Sequence, residues 1–233
     1  GCRPVDAGWV WVRSKCSRRA VPYRNGPERH HTAQCGSALD DPPRAYPARV
    51  STTESRPNPF LQGNLAPVDV ETTAFDLEVT GVLPRELNGR YLRNGPNPLG
   101  PVNEAKYHWF SGHGMVHGIR IRDGKAEWYR NRWVRNNDVA DLLGEPRPAS
   151  DWPTDHQQFA ANTNVIGHAG RTYAIVEAGA PPIELSYELD TVRVSSFGGT
   201  LPHAFSAHPK RDPLTGELHT MTYWWGWGNQ LQY

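Results

Sequence analysis

The chain has 233 residues, and 25 Lys+Arg stand against 24 Asp+Glu for a formal net charge of +1. No global field therefore favours nucleic acid or an anionic surface as partner, and the length is enough to bury one sizeable core. Cys2, Cys16 and Cys35 are the three cysteines, so the rest of the chain has neither a disulfide framework nor thiolate metal ligands, as suits a reducing, cytoplasmic compartment.

Residues 1–57 carry ten of the basic side chains and five of the acidic ones, leaving fifteen against nineteen for the rest. This stretch mixes Arg, Pro, Ser, His and Gly without apolar periodicity, the composition of a segment that cannot bury enough surface to offset its ordering entropy. It is expected to be a disordered extension or a spurious translation from upstream, since either origin gives this composition. Cys16, His30, His31 and Cys35 are zinc-site residue types at none of the standard spacings, so chance composition accounts for them. The apolar stretch Gly8 to Val12 is too short for the core of a signal peptide, and no run reaches the roughly 18 residues of a spanning helix. A first residue that is Gly and a last residue inside an aromatic run give the expectation of a piece cut at both ends.

After Asn58-Pro59-Phe60, short apolar or aromatic runs alternate with Gly, Pro and Asn-Gly, the punctuation of an all-β chain. No long helical period appears. Three hairpins are predicted. Met115–Arg122 alternates at period two, stops at Asp123-Gly124 and resumes as Ala126–Val134, and Asp-Gly between alternating runs is a strong hairpin signal. The second joins Asn164–Gly167 to Thr172–Val176 across His168–Arg171, and the third joins Phe205–His208 to Leu218–Trp224 across Asp212–Gly216. Their centres, near residues 123, 169 and 214, recur at about 45 residues, within the range of a four-stranded propeller blade. A propeller needs roughly four to eight blades to close, so residues 58–233 predict an open, partial propeller.

Three blocks carry a resemblance. Gly81-Val82-Leu83-Pro84-Arg85-Glu86-Leu87-Asn88-Gly89-Arg90-Tyr91-Leu92-Arg93-Asn94-Gly95-Pro96-Asn97-Pro98 is the first, and His108–Gly118 is the second. The third runs from Ala161-Asn162-Thr163-Asn164 through Glu177 to Ala207-His208-Pro209-Lys210-Arg211-Asp212-Pro213-Leu214-Thr215-Gly216-Glu217-Leu218. Together they resemble the carotenoid cleavage oxygenase family, which includes carotenoid, apocarotenoid and lignostilbene dioxygenases. Many members carry Asp where this chain has His113. The resemblance covers about Asn58 to Tyr233 and implies the N-terminal blades of a seven-bladed type of β-propeller, truncated at the C-terminus.

What the resemblance implies about chemistry is a non-haem Fe(II) dioxygenase. Such an enzyme opens a conjugated C=C bond of a lipophilic carotenoid, apocarotenoid or stilbene-like molecule with dioxygen to give two carbonyl products. Opening an alkene with ground-state oxygen needs a metal that can pass electrons to it, and imidazole ligands suit Fe(II) and leave positions open. The family uses four histidines and no carboxylate bound to the metal. By resemblance His208 is the first of these ligands and the other three lie beyond Tyr233, so the chain alone is expected to be inactive. His208 precedes Pro209, which favours extended backbone and removes the next N–H from a ladder. By resemblance Glu177 is a carboxylate that takes the second N–H of a ligand histidine, its partner lying beyond Tyr233; a strand-end carboxylate pairing with Arg171 or solvent is the alternative.

Other readings stay open. His108, His113 and His117 sit at odd spacing and superficially suggest a metal cluster, although the family does not use them as iron ligands. The run Tyr223-Trp224-Trp225-Gly226-Trp227 suits packing between blades better than an aromatic platform for ligand. A non-catalytic propeller that binds ligand or protein is the alternative function, and ester-to-alcohol isomerisation at a similar iron site is a third. Several members attach to one bilayer leaflet, so the resemblance adds peripheral membrane contact to the expectations; the chain shows no amphipathic helix of the interfacial type.

Overall fold

The computed structural model describes residues 57–152, 160–201 and 204–233. The basic extension through residue 56, with Cys16, His30, His31 and Cys35, lies outside the described residues.

Four strands form the first sheet: β1 (Thr73–Phe75), β2 (Gly89–Asn97), β3 (His113–Arg122) and β4 (Lys125–Trp133). Their order is β1-β4-β3-β2, antiparallel throughout. β3 turns into β4 through Asp123 and Gly124, whose φ values of 50° and 75° are those of the two-residue type I′ turn that Asp-Gly favours. A short helix α1 (Asn137–Leu143) follows. Asn136 caps it, its side chain accepting the Val139 N–H at 2.9 Å, and Gly144 at φ 68° ends it.

The second sheet contains β5 (Ala149–Ser150), β6 (Asn164–His168), β7 (Arg171–Ile175), β8 (Ile183–Leu185) and β9 (Thr191–Val194) in the order β5-β9-β8-β7-β6. Only β5 beside β9 is parallel. The β6–β7 turn is tighter than the sequence suggests. His168 and Arg171 pair within the ladder, and Ala169 (φ 47°) and Gly170 (φ 76°) alone make the turn.

The third predicted hairpin is shorter than expected. β10 (Lys210–Arg211) pairs with β11 (Leu218–His219), while β12 (Thr222–Tyr223) pairs with β13 (Leu231–Gln232). Residues 205–208 are not strand. Pro209 has no N–H to give a ladder, and the carbonyls of Ala204, Phe205 and Ala207 accept instead from the side chains of Gln232, Thr222 and Asn164. The described chain is thus mostly β with little helix.

Strand alternation explains the core. Val116 packs with Trp128, Ala174, Ile183 and Leu185 between the two sheets. Its neighbour Met115 faces the other way, onto Trp133 and Val139 of α1. Around Ala174, Tyr173 and Ile175 face Phe205 on the far side of the second sheet. Both faces of β3 at Met115–Val116 and of β7 at Tyr173–Ile175 are therefore buried, so apolar residues stand next to one another there.

Side-chain amides stitch the pieces together. Asn97 accepts the Val68 N–H and donates to the Val68 carbonyl, both at 2.8 Å. Asn131 treats the same segment alike, accepting from Thr72 N–H at 2.6 Å and donating to the Val70 carbonyl at 3.0 Å. Asn94 on β2 donates to the carbonyls of Ala161 (2.7 Å) and Asn164 (2.9 Å), and Asn162 donates to those of Phe110 (3.1 Å) and Gly112 (2.7 Å). Where these pieces meet, Gly114 lies so near Ala161 that a Cβ would be 2.8 Å from its carbonyl carbon.

Candidate functional site

β7 ends at Ile175, and the chain then leaves the ladder through Ala178 (φ 60°) and Gly179 (φ 90°). Glu177 is carried out at this bend. Across from it, the segment 204–207 brings in His208, and His208 Nε2 lies 2.8 Å from Glu177 Oε1. The two residues are 31 apart in sequence. Their side chains are 62% and 48% exposed, so burial does not hold them; the backbone on either side must. An ionised carboxylate only accepts, so Glu177 keeps a hydrogen on Nε2 and leaves the ring's lone pair on Nδ1.

Within this chain the histidine that meets Glu177 is His208, and Arg171, the other partner weighed for Glu177, is engaged elsewhere. Arg171 Nη1 instead donates to both oxygens of the buried Glu184, at 2.8 and 2.9 Å. A strand explains the difference: Arg171 opens β7 and Glu177 follows its other end.

Glu177, though not His208, lines a cavity of about 550 Å³ together with Phe110, His113, Asp138, Asn162 and Tyr223 among others, so the lining mixes aromatic and polar groups. Tyr223 of the aromatic run lines it, and Trp225–Trp227 forms a 3-10 turn.

The three early histidines do not converge. His108 caps a 3-10 turn, its Nδ1 accepting the Phe110 N–H at 3.2 Å. His113 Nδ1 accepts the Leu99 N–H at 3.1 Å, a task a carboxylate oxygen at this position could also perform. Burial lowers the His113 pKa against the opposing pull of Asp138, and with Nδ1 accepting, the ring's hydrogen is on Nε2. His117 shares a 2.8 Å hydrogen bond with the Tyr129 hydroxyl, and burial, helped by Arg93, lowers its pKa to about 4. Among the described residues no three His, Cys, Asp or Glu gather as a metal cage.

Sequence reasoning missed the amides. Asn164 donates from Nδ2 to the Ala207 carbonyl at 3.0 Å, next to His208, and is itself held by Asn94. An Asn within a strand-like run was the available signal, since Asn is depleted from strands.

Comparison with known proteins follows the same stretch of chain. Residues 65–233 match the family model described as retinal pigment epithelial membrane protein. A carotenoid cleavage oxygenase of Mycobacterium tuberculosis is 56% identical over 177 residues, covering 76% of this chain and 35% of that protein. A carotenoid 9,10(9',10')-cleavage dioxygenase 1 of Arabidopsis thaliana is 36% identical over 198 residues, covering 72% of this chain and 36% of its own length. Among solved structures, a lignostilbene dioxygenase of Pseudomonas brassicacearum is similar with a TM-score of 0.60 at 32% identity, over 71% of this chain and 36% of that one. The chain spans 35% to 36% of the length of these relatives. With the family model matched from residue 65 to residue 233 and a relative 56% identical, the chain belongs to the carotenoid cleavage oxygenase family.

Proposed function

We propose that the whole protein is a non-haem Fe(II) dioxygenase that opens a conjugated C=C bond of a carotenoid, apocarotenoid or stilbene-like substrate, and that His208 is one of its metal ligands. One observation carries this reading: within the family match, the backbone delivers the His208 imidazole to the Glu177 carboxylate at 2.8 Å, beside a cavity of about 550 Å³. On this reading the two sheets are neighbouring blades of a propeller.

The donor chemistry suits Fe(II), for which imidazole with open positions is appropriate. The number of donors does not complete a site, because no third His, Cys, Asp or Glu joins the pair among the described residues. By resemblance to the family, the remaining ligands are assigned to parts of the protein beyond Tyr233. Bound there, iron would activate dioxygen by passing charge to it, the four electrons that reduce O₂ coming from the cleaved C=C bond and one oxygen atom ending in each carbonyl product. Glu177 orients His208 and fixes the hydrogen on Nε2, as carboxylates do for metal-bound histidines. Phe110 and Tyr223 offer the cavity an aromatic surface suited to a flat, apolar substrate. The same reading places the protein in the cytoplasm with peripheral membrane contact, the source of a lipophilic polyene. Among the described residues no helix is long and apolar enough to cross a membrane.

The test is product analysis with the full-length protein loaded anaerobically with Fe(II) and then given ¹⁸O₂ and an apocarotenoid or a hydroxystilbene. Two carbonyl fragments, each carrying label, are expected, with loss of both iron and product in His208→Ala. An intact rearranged substrate would instead indicate isomerisation. Intact substrate in the presence of bound iron would refute this reading and support the alternative, a non-catalytic binding propeller.

A further inference from the structure

We infer that Asn164, held in place by Asn94, is a positioning residue for His208; the inference rests on the reading of His208 as a ligand. Among the described residues the His208 side chain has one hydrogen bond, to Glu177, and 62% of it is exposed, so its position depends largely on the main chain. That main chain is not strand: three of the four carbonyls from Ala204 to Ala207 are held by side chains, from Gln232, Thr222 and Asn164.

Of these three, Asn164 is the one that acts on the peptide unit shared with His208. A peptide unit is planar, so fixing the Ala207 oxygen fixes the plane that also contains the His208 nitrogen and Cα. Ala207 is fully buried and cannot tilt into solvent. On the other side, Pro209 has a fixed φ and leads directly into β10. His208 is thus clamped by an amide before it and a ring after it.

The clamp has an anchor of its own. Asn164 Oδ1 accepts the Val165 N–H at 2.8 Å, which sets the amide orientation and aims Nδ2 at Ala207. The Asn164 carbonyl accepts from Asn94 Nδ2 at 2.9 Å, and the same Nδ2 donates to the Ala161 carbonyl at 2.7 Å. A relay therefore runs from β2 in the first sheet, through β6 in the second, to the residue before His208. Its register is specific to donors: a carboxylate of the same shape at position 164 could accept from Val165 but not donate to Ala207.

The experiment uses the full-length protein. Fe(II) is titrated anaerobically, and visible absorption is recorded after Co(II) substitution, for wild type, Asn164→Asp, Asn164→Ala, Thr222→Val and His208→Ala. Both Asn164 variants are expected to raise the Kd for Fe(II) about tenfold, the usual cost of losing an outer contact of a metal ligand, and to shift the Co(II) spectrum. Thr222→Val removes the hydrogen bond to Phe205 and is expected to lower Tm while leaving the spectrum unchanged. Wild-type affinity and spectrum in either folded Asn164 variant would overturn the inference, as would an equal spectral shift in Thr222→Val. If neither Asn164 variant folds, Asn94→Ala gives the same readout from the other end of the relay, and an unchanged spectrum there overturns the inference. Wild-type iron binding by His208→Ala would instead mean that the ligand reading has failed, an outcome distinct from failure of the clamp.

Discussion

Replacing Gly114 by Ala tests the contact between the two sheets. A Cβ at this position would strike the Ala161 carbonyl oxygen and lie 2.8 Å from its carbon, with Asn162 Cα at 3.3 Å. All three are main-chain atoms, and Ala161 and Asn162 are themselves held by Asn94 and by the Phe110 and Gly112 carbonyls, so neither side yields cheaply. Overpacking of this kind costs about 1–3 kcal/mol and sometimes more. An unyielding backbone puts it near the top, at about 3 kcal/mol, and the stiffer unfolded chain of Ala returns about 0.4–1 kcal/mol. The net loss is about 2–3 kcal/mol, which for a domain of this size lowers Tm by about 4–12 °C. Two internal controls grade the effect. At Gly118 the nearest atoms are the methyl tips Leu92 Cδ2 (2.8 Å) and Leu189 Cδ1 (2.9 Å), which can rotate, so Ala there should cost less, about 1 kcal/mol. At Gly167 the nearest atom is Arg171 O at 3.9 Å, and Ala in a strand should be neutral or stabilising by about 0.5 kcal/mol. Thermal melts followed by circular dichroism rank the three. A Gly114→Ala protein that melts with the wild type, or above Gly118→Ala, would refute the contact as described.

Three further outcomes are expected. The unfolded chain protonates His117 near its ordinary pKa while the folded chain resists until about pH 4, so stability is full above the ordinary value and declines as pH falls towards 4. Urea midpoints across this window should slope less in His117→Asn, and an identical slope would remove His117 as the cause. Asn97→Ala strands both the N–H and the carbonyl of Val68, a loss of about 2–3 kcal/mol; a urea-derived change below about 0.5 kcal/mol would show that water replaces the amide at no cost. Finally, the isolated 233-residue chain should hold Fe(II) well below one equivalent after gel filtration, and tightly held stoichiometric iron would contradict the incomplete ligand set.

Local chemistry made the hairpins readable and long-range chemistry hid the site. Asp123-Gly124 announces its turn because Asp-Gly suits the positive φ needed at both residues; Ala169 at φ 47° carries no such signal, so the β6–β7 hairpin was legible from its strands but not its exact turn. Phe205–His208 has the composition of a strand but not the structure, because the carbonyls of Phe205 and Ala207 are claimed by Thr222 and Asn164, 17 and 43 residues away. Helix α1 is too short for periodicity to reveal, although Asn136 and Gly144 mark its two ends. The short parallel pairing of β5 with β9 has no local signature at all. His208 and Glu177 were both legible as a motif, but their meeting across 31 residues depends on the bend at Ala178-Gly179 and on the amide behind Ala207.

The amide stitches also divide the chain into positions of unequal freedom. Each stitch runs from a particular side chain to a main-chain oxygen, and every residue type brings that oxygen. The exposed Val70 can thus change identity while still receiving its bond, whereas Asn97, Asn131 and Asn94 cannot be exchanged without losing theirs. Mutational drift at the joins should therefore be one-sided, wide at the accepting loops and narrow at the donating asparagines.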